Sequence, residues 1–561
     1  MVNRQIHYQI SVIDDFISNK LYQNSIEYAK KALTLFPLNP LLNHRMGLIY
    51  YFLNDYEKSE MYYIKSLEID DSNFIVWDSL GVTLTELKNL FEAEKSIKRS
   101  LLLNKKWYLS HYNLANILDL SGNNEEAIIE YNTAIALNSL HRDSYFKLGV
   151  LYQKQKKYNK AMEIYEKSIL LDDTYYPNYV NLAFCYVEQQ NYIEASNLLK
   201  KVLQNNSLSD EIKAILFYNL GTVEQKMLKF DASIDTLKTS ITHKKDFFLA
   251  RWNLSLSLLT LGKLKEAWPQ YEFRFKSGEV LKRTSSKPYY NGESLKDYKL
   301  LIWAEQGLGD SFQFGTCLLD LEKYSDHIIF ECDPRLVDMF QRRFSKIVVR
   351  PFSNLDDFDF QIGLGSLPKY FRNTIESFPK KLHYITPKKD LIKYWKKKLD
   401  LIEGRKIGFC WRSSYTNSDR EQFYSKIQDW KDIMSTPHTK WIVLQYDNCD
   451  IELEEIKQHS GIEIIKFDID LENDLENTLA LMSNLDMVIS VSTTISEMSG
   501  SINIPTWRID RKNNWFNHNQ KIKPWYPSSR VIEYIDTPSD ALKIAEQDLK
   551  ELLNGPPIMD I

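Results

Sequence analysis

The sequence predicts two kinds of fold in tandem: an N-terminal all-α solenoid over residues 1–275, then a pair of α/β domains built on parallel sheets. Three observations predict it. Small residues recur at a fixed step of 34, the recurrence stops near residue 275, and short apolar runs separated by helical stretches then take over.

The repeat is legible in Gly47, Gly81, Ala115, Gly149 and Ala183, each 34 residues after the last. The next step, to Gly221, is 38, and Ser255 follows at 34. Twelve residues after each mark stands a second small residue: Ser59, Ala93, Ala127, Ala161, Ala195, Ser233 and Ala267. Small side chains at both places let paired helices approach closely. A helix pair of this period cannot bury its apolar face alone, so it stacks on its neighbours. With aromatic residues such as Tyr158 and Tyr192, the pattern resembles the tetratricopeptide family. The resemblance implies about seven repeats, with a partial first one around Ser25 and Ala32, and a surface that holds polypeptide.

Residues 276–298 are polar, contain Pro288 and Gly292, and read as a linker. Apolar runs of strand length come next at 300–304, 327–332, 346–350 and 360–364, then at 406–411, 441–446, 462–467, 487–491 and 505–509. Helical segments lie between them. Strands alternating with helices imply parallel sheets, here as two doubly wound halves, 299–400 and 401–561. Ligands of such sheets bind at the carboxyl ends of the strands. An amphipathic helix at 538–554 ends the pattern.

Composition excludes several classes. Seventy-one Lys and Arg nearly balance 75 Asp and Glu, for a net charge of −4, so no region has the basic excess of a nucleic-acid binder. No apolar run approaches the roughly 20 residues that span a bilayer. The five cysteines are far apart, against both a disulfide framework and a zinc site. The N-terminal stretch lacks a secretory apolar core, and a soluble, cytoplasmic protein is expected.

The stretch AEQGLGDSFQF (304–314) follows a strand and opens a helix. Gln306, Gly307 and Gly309 form a cleft loop where backbone can approach a substrate, and the helix N-terminus adds N–H donors. Asp310 sits at that helix start as a held carboxylate, either a cap or a general base. In CWRSS (410–414), Arg412 suits a diphosphate, with Ser413 and Ser414 adding hydroxyls and Arg420 a second cation. In SVSTTISEMSG (490–500), Ser492, Thr493 and Thr494 lie at a helix N-terminus, a place for a pyrophosphate or simply for N-capping. Asp468 and Asp470 make a DxD in an acidic loop, read as solvated, with metal binding the lesser alternative and no metal ligand expected elsewhere.

EQGLGD after LLIWA and preceded by YYNGESL, with GKLKEAWPQYEFRF, SLP (366–368), LQY (444–446) and PWYP (524–527), resembles bacterial proteins that join tetratricopeptide repeats to a glycosyltransferase domain. That domain is similar to the heptosyltransferase superfamily, with the GT-B fold of two Rossmann-like halves. The resemblance implies that Asp310 deprotonates an acceptor hydroxyl and that the C-terminal half holds a nucleotide-sugar. It also implies that no metal or other cofactor is needed. The chain departs from the family pattern at Ser492 and at Glu497, where Asp or Asn and His are usual.

Two residues before each repeat mark stand Arg45, Ser79, Asn113, Lys147, Asn181, Asn219 and Asn253. An Asn amide can pair with an extended peptide backbone, so Asn113, Asn181, Asn219 and Asn253 are candidates for an acceptor peptide; local roles within the repeat are the other reading. The expected function is transfer of a sugar from a nucleotide donor to Ser or Thr of a protein held by the solenoid, with flagellin as an acceptor implied by the resembling group. A glycan acceptor such as lipopolysaccharide, and a scaffold with an inactive glycosyltransferase-like half, are the alternatives.

Overall fold

The computed structural model describes residues 2–413, 423–512 and 514–554. The chain divides into two compact units, Met1–Leu208 and Ser209–Ile561.

The first unit is all helix, running in pairs from Val2–Ser18 to Tyr192–Leu203. First helices of about 13 residues, such as Phe74–Glu86, alternate with second helices of 14, such as Leu90–Leu103. The small residues do what their spacing requires. A Cβ on Gly47 would lie 2.5 Å from the ring of Tyr63, sixteen positions on; Gly81 meets Ile97 at 2.5 Å and Gly149 meets Tyr165 at 2.6 Å. Ser59, twelve positions after Gly47, donates to the Gly47 carbonyl at 2.9 Å and so ties the second helix to the first.

The second unit opens with more helices of the same kind: Asp210–Lys226, Phe230–His243, Phe248–Thr260 and Leu264–Tyr271. Asp210–Lys226 has 17 residues, and this extra turn accounts for the 38-residue step to Gly221. These helices share one core with the sheet region: Trp268 and Tyr271 are buried with Ile302, Phe314 and Trp525. The solenoid pattern stops near 275, but compactness divides the chain earlier, because these last helices pack on the sheets.

Beyond the helices lie two parallel sheets. The first joins β1 (Leu300–Trp303), β2 (Ile328–Cys332), β3 (Ile347–Pro351) and β4 (Phe360–Gly363) in the order β3-β2-β1-β4. The second joins β5 (Arg405–Cys410), β6 (Thr439–Val443), β7 (Ile464–Ile465), β8 (Met487–Val491), β9 (Thr506–Arg511) and β10 (Ser529–Tyr534) in the order β10-β9-β8-β5-β6-β7. In each sheet the strand order reverses beside its first strand, at β1/β4 and at β5/β8. These are the switch points where doubly wound sheets bind ligands.

The stretch expected to be a linker is instead a strap. β1 is buried on both faces, and its second face, with Leu301 and Trp303, is covered by Phe275 and Tyr289. Tyr290 N–H donates to the Gln361 carbonyl at 2.9 Å, and Gln361 N–H to the Pro288 carbonyl at 3.0 Å. Arg283 of the strap pairs with buried Glu331 of β2, which also takes Arg350 at 3.0 Å. An apolar sheet face needs cover, and here a polar-looking segment supplies it.

Candidate functional site

The loops at both switch points carry the motifs singled out in the sequence. After β1, the backbone turns through Glu305, Gln306 and Gly307 into the helix Leu308–Phe314. The Asp310 carboxylate accepts the Gly307 N–H at 3.1 Å, capping that helix. Gln306 donates to the Tyr271 hydroxyl at 2.9 Å. Glu305 takes Arg274 at 2.7 Å and the Gly365 N–H at 2.9 Å, so the last helical turn of the solenoid and the turn after β4 both clamp this loop.

After β8, Ser492 and Thr493 lead into the helix Thr494–Ser501. The two site helices touch. A Cβ on Gly309 would lie 3.3 Å from Cγ of Glu497 and 3.7 Å from the Thr494 Cα. Gly309 therefore serves helix–helix contact in this state.

That contact brings Asp310 to a buried charge cluster that the motifs did not reveal. Lys523 donates to Glu497 at 2.6 and 2.8 Å. Arg508, on β9, pairs with Glu497, with Asp510 at 2.7 Å and with the Ser492 hydroxyl. Asn514 donates to Asp510 at 2.7 Å, and Asn517 to Asp510 at 2.9 Å. Arg508, Asp510 and Lys523 are at most 1% exposed. Charges this deep persist only when paired.

The electrostatics reflect burial and pairing. Asp310 keeps some exposed surface, yet its crowded carboxyl is pushed up to about 7, first by desolvation and then by the Glu497 carboxylate; the Gly307 N–H and Lys523 oppose this. Burial alone would push Glu497 up, but Lys523 and Arg508 hold it below the ordinary glutamate value. Burial, then Arg508, pull the Lys523 amine down to about 7, against Glu497 and Asp510. A carboxyl raised towards neutrality beside the switch point of a parallel sheet is suited to proton transfer.

The other candidates are placed less simply. Arg412 is engaged, with Asp447 at 2.9 Å and Glu452 at 2.5 Å. Any diphosphate there has to displace two carboxylates. Ser413 accepts the Tyr446 hydroxyl at 2.8 Å. Ser414 and Arg420 lie outside the described residues. Thr493 is buried and its hydroxyl lies 3.1 Å from that of Ser490; Thr494 starts the helix and faces Gly309.

The asparagine amides are used locally. Asn113 donates to buried Asp78 at 3.0 and 3.2 Å, Asn181 to the Tyr165 hydroxyl at 3.2 Å, Asn219 to the Ile215 carbonyl at 2.8 Å, and Asn253 to the Thr222 hydroxyl at 3.2 Å. Asp468 and Asp470 line a separate cavity of about 620 Å³ with Asp390, Tyr394 and Asp474. The shifted and buried charges gather instead around Asp310. Among the described residues no three His, Cys, Asp or Glu converge as metal ligands.

Sequence reasoning missed Arg508, Asp510 and Lys523. The available signal was in TWRIDR (506–511), where Thr506, Arg508 and Asp510 alternate with Trp507 and Ile509 along a buried strand. A cation and an anion two apart in a buried strand read as a buried pair.

Models of the tetratricopeptide repeat match residues 152–216 and, separately, 42–73 and 108–139. The chain is similar to Protein FlbA of Caulobacter vibrioides, 27% identical over 343 residues, with 57% of this chain and 57% of that protein covered. The chain thus spans little more than half the length of that curated relative. The matched stretch is longer than the helices up to Ser277, and longer than everything after them, so it includes residues of both. Among solved structures, the chain is similar to the MamA protein, at 26% identity over 29% of this chain and 90% of that one, with a TM-score of 0.28. It is also similar to a tetratricopeptide repeat protein from Parabacteroides merdae, at 16% identity over 46% and 99%, with a TM-score of 0.35. No helix among the described residues is long and apolar enough to cross a membrane. The chain carries tetratricopeptide repeats in an all-helical N-terminal solenoid, followed by a region of parallel sheets.

Proposed function

We propose that the chain is a cytoplasmic glycosyltransferase of GT-B type that moves a sugar from a nucleotide donor to a Ser or Thr hydroxyl of a protein held by the solenoid, flagellin being the first acceptor to test. The observation that carries this reading is the meeting of the two switch-point helices, which sets Asp310 of one half beside the Ser492–Thr494 helix start of the other.

In this reading the donor lies against the N-terminus of Thr494–Ser501, where helix-start N–H groups and the helix dipole favour phosphate. The acceptor hydroxyl approaches Asp310. Its proton passes to the Asp310 carboxylate as its oxygen bonds to the anomeric carbon. The bond from that carbon to the nucleotide oxygen breaks, and its electron pair leaves on the diphosphate. One displacement inverts the anomeric configuration. Developing charge on the leaving group is met by oriented N–H groups and by Arg412 once the donor draws it from Asp447 and Glu452. No metal and no other cofactor takes part.

The test is incubation of the full chain with flagellin and UDP-, GDP- and CMP-activated sugars, read by mass spectrometry of the intact acceptor. A mass gain of one sugar that Asp310→Asn lowers about a hundredfold or more supports the reading; equal transfer by that variant rules out the base. Arg412 in its double ion pair favours one other reading, a scaffold whose sheets bind no nucleotide. A gain on a glycan and not on protein marks the lipopolysaccharide-type acceptor.

A further inference from the structure

The geometry points to Lys523 as a positioning residue that offsets the repulsion of Asp310 by the Glu497 carboxylate. The inference rests on the proposed reading for its consequence in transfer, but its test does not.

Glu497 stands where the two site helices touch, with its Cγ next to the backbone of Gly309, the residue before Asp310. Two carboxyls brought together in a buried place cannot both ionise freely. One of them has to be fixed. Lys523 does this for Glu497, giving both of its short hydrogen bonds to the two oxygens of that one carboxylate. Arg508 is divided among Glu497, Asp510, Ser496 at 3.2 Å and Ser492. Lys523 is therefore the cation committed to Glu497, and Arg508 is the one that also organises the Ser492 loop.

The groups facing Asp310 are the Gly307 N–H on its own helix, Glu305 from the β1 loop, Glu497 from the opposite helix, Lys523 from the segment before β10, and the Tyr271 phenol from the last solenoid helix. Tyr384 and Tyr526 face Glu497. The balance among these charges sets the proton on Asp310. Arg508 also pairs with Glu497 and holds it as a carboxylate without Lys523; that carboxylate keeps Asp310 reluctant to ionise, and an acceptor proton is then welcome on Asp310. Lys523 itself offsets part of that repulsion, so it sets how strong the base is.

The experiment is a mutant cycle on the full-length chain, using the thermal midpoint from pH 4 to 9. A carboxyl raised on folding stabilises the fold at low pH, and that stability is lost as pH climbs from the ordinary carboxylate value to about 7. The difference between a protein and its Asp310→Asn version isolates this fall. Expected is a fall whose upper end moves up by about one pH unit or more in Lys523→Met and down by about as much in Glu497→Gln. Lys523→Arg, which keeps the charge, returns it to the parent position. A merely structural lysine would not give opposite signs. Shifts in the same direction, no shift in either, or shifts that persist in the Asp310→Asn background overturn the inference. If Lys523→Met does not fold, Glu497→Gln and Lys523→Arg decide alone. Should the shifts appear while Asp310→Asn still transfers sugar, the coupling stands and the proposed base falls.

Discussion

Gly309 and Glu497 meet across the two halves of the sheet region, with a Cβ on Gly309 only 3.3 Å from the Glu497 Cγ. Absence of a side chain at 309 lets the helix carrying Asp310 lie on the helix carrying Glu497, beside the buried cluster around Lys523 and Arg508. Adding bulk there drives the two halves apart. Gly309→Val is expected to lower stability by about 1–3 kcal/mol through overpacking, and to abolish the pH dependence assigned to Asp310. Denaturant unfolding across the pH range measures both.

The repeats offer a second close approach. Gly47→Ala places a methyl 2.5 Å from the ring carbons of Tyr63. It should destabilise the first unit by about 1–3 kcal/mol, seen as an earlier loss of helix signal in urea.

Arg508 and Arg412 should separate cleanly. Arg508→Ala leaves Glu497 with Lys523 alone and strips buried Asp510 of its cation; a loss of about 3–5 kcal/mol is expected. Arg412 sits in a more accessible pair, so Arg412→Ala should cost about 1 kcal/mol or less. Its effect should fall on nucleotide affinity. Equal stability losses in the two variants would contradict this placement.

His518 supplies a pH signature independent of Asp310. Its Nε2 accepts the Trp525 indole N–H at 3.2 Å, which leaves the proton on Nδ1 to donate to the Leu259 carbonyl at 3.0 Å. Burial depresses the ring to about 4. A histidine buried neutral adds stability as pH rises from about 4 to 6.5 and loses it as pH falls through that window. His518→Gln should flatten this stretch of the thermal-midpoint curve.

Much of the architecture was legible. The repeat phase fixed which helices pair, and eight of the nine apolar runs read as strands became full strands. The run at 462–467 yields only Ile464–Ile465, because it lies at a sheet edge and is only half-buried. β10 escaped notice since SRVIEY has only Val531 and Ile532 as a short apolar core. In the site, Asp310 and Ser492 were legible because Gly- and Ser-rich turns after strands announce themselves locally. Arg508 and Lys523 were not, since each takes its meaning from Glu497, 11 and 26 residues away. The asparagine ladder is a regular pattern whose amides bond within the solenoid, to partners that spacing alone did not reveal.

The same ladder bears on acceptor binding. Asn113→Ala leaves Asp78, a buried carboxyl already raised by desolvation, without one of its donors, and should cost about 1–3 kcal/mol. Asn219 donates to the Ile215 carbonyl of its own helix, so Asn219→Ala should stay within about 0.5 kcal/mol. If the solenoid grips an acceptor through these amides, Asn219→Ala weakens acceptor binding without weakening the fold, which fluorescence anisotropy with a labelled acceptor would detect.

Everything proposed for transfer depends on a nucleotide-sugar binding the sheet region at the Ser492–Thr494 helix start. The decisive experiment is isothermal titration of the full-length chain with UDP-, GDP-, CMP- and ADP-sugars. Saturable binding of one nucleotide class is expected, with the fold stabilised by about 2.7 kcal/mol at a hundredfold excess over the dissociation constant. Binding of none of them, with the thermal midpoint unmoved throughout, would refute donor binding and leave the scaffold reading.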